Sequence, residues 1–81
     1  MTKTCKVIES IRNNPKAVRF EDACKVAETI GFIYSAGKGS HQVFKRPHEL
    51  TQLNFQNRNG YIPHYQAKQL LTIIAKYEEE P

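Results

Sequence analysis

The chain of 81 residues can build one compact domain around one modest core, and it is too short for a catalytic domain joined to a separate cofactor domain. Twelve Lys and Arg against eight Asp and Glu leave a formal charge of +4 at pH 7, which points to anionic partners and to nucleic acid first. Cys5 and Cys24 have neither CxxC nor Cys/His metal spacing, no leader pattern is visible, and no apolar run reaches membrane-spanning length. The expectation is therefore a cytosolic protein with reduced thiols, no metal and no membrane association.

Taken in chain order, Thr4 to Asn13 reads as a short helix, with Val7, Ile8 and Ile11 at helical spacing. Asn13-Asn14-Pro15 stops it, because proline disfavours helix in the residue before it. A second helix is expected from Phe20 to Ile30, with Phe20, Ala23, Cys24, Ala27 and Ile30 as its buried stripe. Glu21 and Asp22 suit its positive end, and Gly31 suits a left-handed cap. Three strands follow: Phe32 to Ser35, His41 to Arg46 and Leu50 to Gln56, with Ala36 to Ser40 as the first loop. Thr51, Leu53 and Phe55 alternate with Gln52, Asn54 and Gln56, so one face of the sheet meets the core and the other meets water. Asn57-Arg58-Asn59-Gly60 is a polar turn. Pro63 opens a last helix whose stripe is Ala67, Leu70, Leu71 and Ile74, with Tyr77 extending it. The pattern predicts an α+β domain, a three-stranded antiparallel sheet packed against helices. Residues 78–81 form an acidic tail.

Gly39-Ser40-His41 carries the chemistry. It sets a histidine where a glycine turn opens into a strand, and glycine allows another backbone to come close. Histidine alone has an unperturbed pKa near neutrality, so in a small basic protein this points to acid/base work on a phosphate-rich substrate. A lone strand histidine is more often only a hydrogen-bonded or surface residue. Alternation leaves its face open: His41, Val43 and Lys45 share one side, and Gln42, Phe44 and Arg46 the other, with one apolar residue on each. Ser40 and His41 are neighbours in one extended segment. The expectation is that their side chains diverge and cannot pair as Ser-His.

Gly31-Phe32, Gly39-Ser40-His41 and Ile62-Pro63-His64, in that order along residues 20–77, resemble the HicA family. These are small toxin ribonucleases paired with HicB antitoxins in type II toxin–antitoxin systems. The resemblance implies a fold like a double-stranded-RNA-binding domain, here with an extra N-terminal helix. It also implies metal-independent, cofactor-free cleavage of mRNA with His41 as catalytic residue, and a HicB-like antitoxin over His41 and the basic rim. The stretch through Arg19 is additional to the shortest members, and Asn57 to Tyr65 is longer and more polar.

Around His41, Lys38, Gly39, Ser40, Lys45 and Arg46 are the candidate RNA-binding residues, with Lys38 and Lys45 ahead of the others. Arg58 and Lys68 are weaker candidates. Gly37 and Gly39 can expose backbone N–H groups to phosphate, although an ordinary hairpin that needs glycine for positive φ is the plainer explanation. His64 is a possible accessory proton-transfer group, but a helix start disfavours its charged form. His48 has no assigned role, and nothing is read from Gln42. Tyr34, Tyr61 and Tyr65 can stack on bases, with core or rim packing the plainer explanation for each. The competing reading is a non-catalytic RNA-binding module of the same fold. A third is a small interaction protein whose charge is incidental.

Overall fold

Three amphipathic stretches and three short β-rich runs take the shapes their spacing demands. The computed structural model of the protein describes residues 3–78, with side chains from 6 to 77. Helices α1 (Lys3–Asn13), α2 (Phe20–Thr29) and α3 (His64–Glu78) combine with strands β1 (Ile33–Ala36), β2 (His41–Lys45) and β3 (Leu53–Gln56). The side chain of Cys5 and the acidic residues Glu79 and Glu80 lie outside the described set. The sheet is antiparallel in the order β1-β2-β3. An α+β architecture results, with α2 and α3 against the sheet and α1 against those two helices. No helix among the described residues is long and apolar enough to cross a membrane.

Register decides which way each strand faces. Phe44 pairs with Leu53 and Gln42 with Phe55. Phe44, Leu53 and Phe55 are buried together with Ala23, Val26, Ala27, Leu70, Ile73 and Ile74. This side of the sheet is the covered one. His41, Val43 and Lys45, one residue out of phase, fall on the other side, with Asn54 opposite Val43 and Ile33 opposite Lys45. In β1, Tyr34 pairs with Phe44 and Ala36 with Val43, so Ser35 is the extra residue of a bulge.

Several boundaries differ from the sequence expectation, each for a local reason. The first strand begins at Ile33 and not at Phe32, because Phe32 still belongs to the end of α2. Its N–H donates to Ala27 O at 2.9 Å and that of Gly31 to Glu28 O at 3.1 Å. With Gly31 at φ +97°, this is a Schellman ending, and it sends Phe32 into the core. The second strand ends at Lys45, leaving Arg46 outside it. The third is shortened to Leu53–Gln56. Leu50 is 99% exposed, and the Thr51 N–H donates to the Glu49 carboxylate at 3.0 Å instead of joining a ladder. The helix stripes are wider than expected. Val26 and Ile73 are buried, while Cys24, Ile30 and Leu71 sit at the core's margin.

Tyr77 ties the β2–β3 connection to the far end of α3. Pro47 and His48, the latter at φ +66°, turn the chain in a type II pattern closed by the Glu49 N–H on Arg46 O at 3.0 Å. Glu49 then accepts from Lys76 Nζ at 2.7 Å and from the Tyr77 hydroxyl. Arg46 lies over the Tyr77 ring, 3.7 Å from its centroid, and Phe32 meets that ring edge-on. Hydrogen bonds from Lys76, then Tyr77, then the Thr51 N–H hold the Glu49 carboxyl down at about 2, from an ordinary 4.5. A depressed carboxylate contributes stability that is complete above its unfolded pKa and disappears as pH falls through its folded one. Denaturant titrations at stepped pH are expected to show a decline between about 4.5 and 2 that is shallower in Glu49→Gln than in the parent.

Candidate functional site

His41 is the first residue of the central strand, and its position is set by the loop before it. Its N–H donates to Lys38 O at 3.2 Å, closing a turn over Lys38, Gly39, Ser40 and His41. The close backbone approach expected of Gly39 occurs at Gly37 instead. A Cβ on Gly37 would fall well inside contact distance of the His41 carbonyl oxygen, whereas one on Gly39 would meet open space. Gly37 also sits at φ +106°, where L-residues are strained. The Tyr34 hydroxyl donates to Gly37 O, fastening the loop to β1. Tyr34 rests edge-on against Phe44, so it is engaged in holding the loop.

Ser40 lies in the turn ahead of the strand, so strand alternation does not govern it. Its Oγ lies 3.5 Å from His41 Nδ1, at the long limit of a hydrogen bond. The expected divergence of the two side chains does not occur. The approach is to Nδ1, and Nε2 has no hydrogen bond among the described residues. His41 itself is exposed on the open face.

Across the strand, His41 faces Gln56. The ladder bond here runs from the Asn57 N–H to Ser40 O at 2.7 Å, so His41 and Gln56 form a non-hydrogen-bonded pair, the kind with the closer side chains. The Gln56 N–H points to the outer edge of β3 and donates to Gln66 Oε1 at 2.9 Å. Gln66, a buried polar residue, thereby seals that edge with the first turn of α3, and its Nε2 reaches the Tyr65 hydroxyl at 3.4 Å. On the other side, Gln56 Oε1 accepts from Arg58 Nη2 at 3.1 Å. Arg58 and Tyr61 exchange backbone hydrogen bonds of 2.7 and 3.1 Å around Asn59 and Gly60, both at positive φ. This type I′ turn is strongly favoured by an Asn-Gly pair.

The sequence candidates thus separate. Ser40, Lys38 and Gly39 belong to the turn that carries His41. Arg58, ranked low from sequence, is hydrogen-bonded to His41's cross-strand partner Gln56, which sequence reasoning did not single out. The Asn59-Gly60 hairpin signal and the alternation of Gln56 with Phe55 were the clues. Lys45 shares His41's face but lies four residues, roughly 13 Å, along the strand. Arg46 is on the opposite face, stacked on Tyr77, and is not part of the His41 cluster. His64 is exposed at the start of α3, two residues before Gln66, and Lys68 is exposed beyond it. Tyr61 is exposed in the hairpin, and Tyr65 is exposed with its hydroxyl at Gln66. Gln42 faces inward, its Oε1 3.6 Å from Cys24 Sγ. An open depression of about 480 Å³ lies at the other end of β2, lined by Ile33, Tyr34, Ser35, Lys45, Arg46 and Pro47. Among the described residues no three His, Cys, Asp or Glu side chains are grouped to hold a metal ion.

What remains is an exposed imidazole on a sheet face that no helix of the described residues covers, with Lys38 in the turn before it and Arg58 hydrogen-bonded to its cross-strand partner Gln56. This arrangement can move a proton next to an anion. A comparison of the chain with protein-family models finds no match, and comparisons with curated proteins and with solved structures find none either.

Two substitutions check the geometry. Gly39→Ala is expected to cost about 1–2 kcal/mol for the left-handed backbone. Gly37→Ala should cost at least about 1 kcal/mol more from overpacking against the strand, read by urea denaturation. Burial, and then the charge of Glu28, push the Cys24 thiol up to about 11. In a Cys5→Ser background, Cys24 should therefore react with a disulfide reagent at pH 8 on the order of tenfold more slowly than an ordinary thiol.

Proposed function

We propose that this protein is a HicA-type toxin, an endoribonuclease that cleaves mRNA without a metal and is restrained by a HicB-like antitoxin. The observation that carries the reading is the place of His41. It is exposed at the start of the central strand, on a sheet face without a helix over it, directly after a glycine turn that carries Lys38. The order of elements from α2 onward supports it too, since α-β-β-β-α is the order of a double-stranded-RNA-binding domain, with α1 as an addition. An open, basic face suits a long anionic polymer, whereas small substrates are normally taken into enclosing clefts.

In this reading neutral His41 takes the proton of a ribose 2′-hydroxyl. The 2′-oxygen then attacks the adjacent phosphorus. The bond from phosphorus to the 5′-oxygen breaks, and that oxygen leaves with a proton from the imidazolium or from water. The products are a 2′,3′-cyclic phosphate and a 5′-hydroxyl, and no cofactor enters the balance. Ser40 at Nδ1 leaves Nε2 as the nitrogen that exchanges the proton. Lys38 neutralises phosphate at the cleaved linkage, and Lys45 meets the strand a nucleotide or two away. The antitoxin lies over the same face, where it would cover His41 and Lys45 together.

The test is cleavage of an end-labelled mRNA in EDTA by the parent and by His41→Ala. Because His41 is exposed, the variant should melt like the parent while cleavage falls by about 10²–10⁴-fold. Equal cutting by both removes His41 from the chemistry. Binding by both without cutting, on free RNA and on translating ribosomes, leaves the RNA-binding module as the better reading.

A further inference from the structure

We propose that Arg58 is the phosphate-anchoring residue of the His41 site, held in place by Gln56. The inference deepens the ribonuclease reading and rests on it for the identity of the substrate.

Four observations carry it. Gln56 is the cross-strand neighbour of His41 in a non-hydrogen-bonded pair, so the two side chains lie side by side on the same face of the sheet. Gln56 Oε1 engages Arg58 Nη2 at 3.1 Å. This occupies one of the five N–H donors of a guanidinium, and Arg58 is otherwise exposed. No carboxylate among the described residues forms an ion pair with Arg58. A neutral amide fixes the group without cancelling its charge, so the full cation faces solvent next to the residue that stands across from His41.

The backbone of Arg58 is also held by hydrogen bonds. It stands at the base of the type I′ turn, paired twice with Tyr61. Asn57 Oδ1 accepts from the Gly60 N–H at 2.6 Å. The Phe20 and Ile62 N–H groups bond Gly60 O and Val18 O, each at 2.9 Å, and join the turn to the body of the domain. Arg46, by contrast, is engaged over Tyr77, and Lys45 is a strand's length away.

The chemistry that fits such a group is the scissile phosphodiester. When the 2′-oxygen attacks, negative charge grows on the two non-bridging oxygens. A planar guanidinium can meet both through parallel N–H donors. Lysine is a point charge and cannot reproduce that fork. Arg58 is thus a catalytic residue that touches the substrate, and Gln56 is its positioning residue.

The experiment uses the full chain, a single-stranded RNA that the parent cleaves, and its 2′-O-methyl analogue as an uncleavable probe. Arg58→Lys should lose at least tenfold in cleavage, with affinity for the analogue nearly kept. Arg58→Ala should lose more, and its plot of log affinity against log salt should be shallower by about 0.7, the share of one phosphate contact on a single strand. Gln56→Glu is a supporting variant, since a carboxylate there also stands across from His41. A carboxylate there holds Arg58 more firmly but cancels its charge, so cleavage should drop at least tenfold while the melting temperature stays level or rises. A purely structural pair would be improved by the same change. Parental cleavage in Gln56→Glu, or an unchanged salt slope in Arg58→Ala, overturns the proposal. Full activity in His41→Ala removes His41 from the chemistry instead, and the salt slope still decides whether Arg58 meets phosphate.

Discussion

Everything at the candidate site depends on the register between β2 and β3. The sheet is covered on one side, so each strand residue is either core or surface, and adjacent residues take opposite fates. Phe44 opposite Leu53 commits Gln42, Phe44 and Phe55 to the helices. The same pairing commits His41 to water. A slip of β2 by one residue would turn the imidazole toward the helices and expose the Phe44 ring. Burial of the three apolar side chains, roughly 1.5–3 kcal/mol each, therefore enforces the exposure of the one side chain that can transfer a proton.

The second constraint is the edge of β3. An unpaired strand edge exposes N–H groups that need partners. Gln66 meets that need at Gln56 from the first turn of α3. One buried amide thus fixes the helix against the strand, and its neighbour across the ladder is His41. The opposite end of the sheet is secured differently, by Glu49, Tyr77 and Arg46. Two polar clusters bracket an apolar core, and only the one at the Gln66 end lies beside the exposed imidazole.

Features with local causes were legible in the amino-acid sequence. Asn14-Pro15 stops α1 and Gly31 caps α2 because each acts through its own backbone. The alternation of Leu53 with Asn54 and Phe55 marks β3 because only one face can be apolar. The face of His41 was not legible, since Val43 and Phe44 offer one apolar residue to each side and the choice is made by the partner strand. Gln66 was missed because burial of an amide leaves no trace in hydropathy. Arg46 and Arg58 look alike as letters. What separates them is a tyrosine ring thirty-one positions on in one case and a hairpin neighbour in the other. Ser40 was misjudged for a boundary reason: the extended geometry begins one residue later than the alternation argument assumed.

The carbonyl of Gly60 accepts the N–H of Phe20, the first residue of α2, which has no side-chain cap of its own. The hairpin bearing Arg58 is therefore also the lid on a helix that carries four core residues. An insertion in that hairpin would disturb the helix terminus and the guanidinium together. The segment is thus poor ground for the drift in length that surface loops usually tolerate. Change without loss of the fold is confined there to the identity of exposed side chains, and new specificity would have to arise by substitution alone.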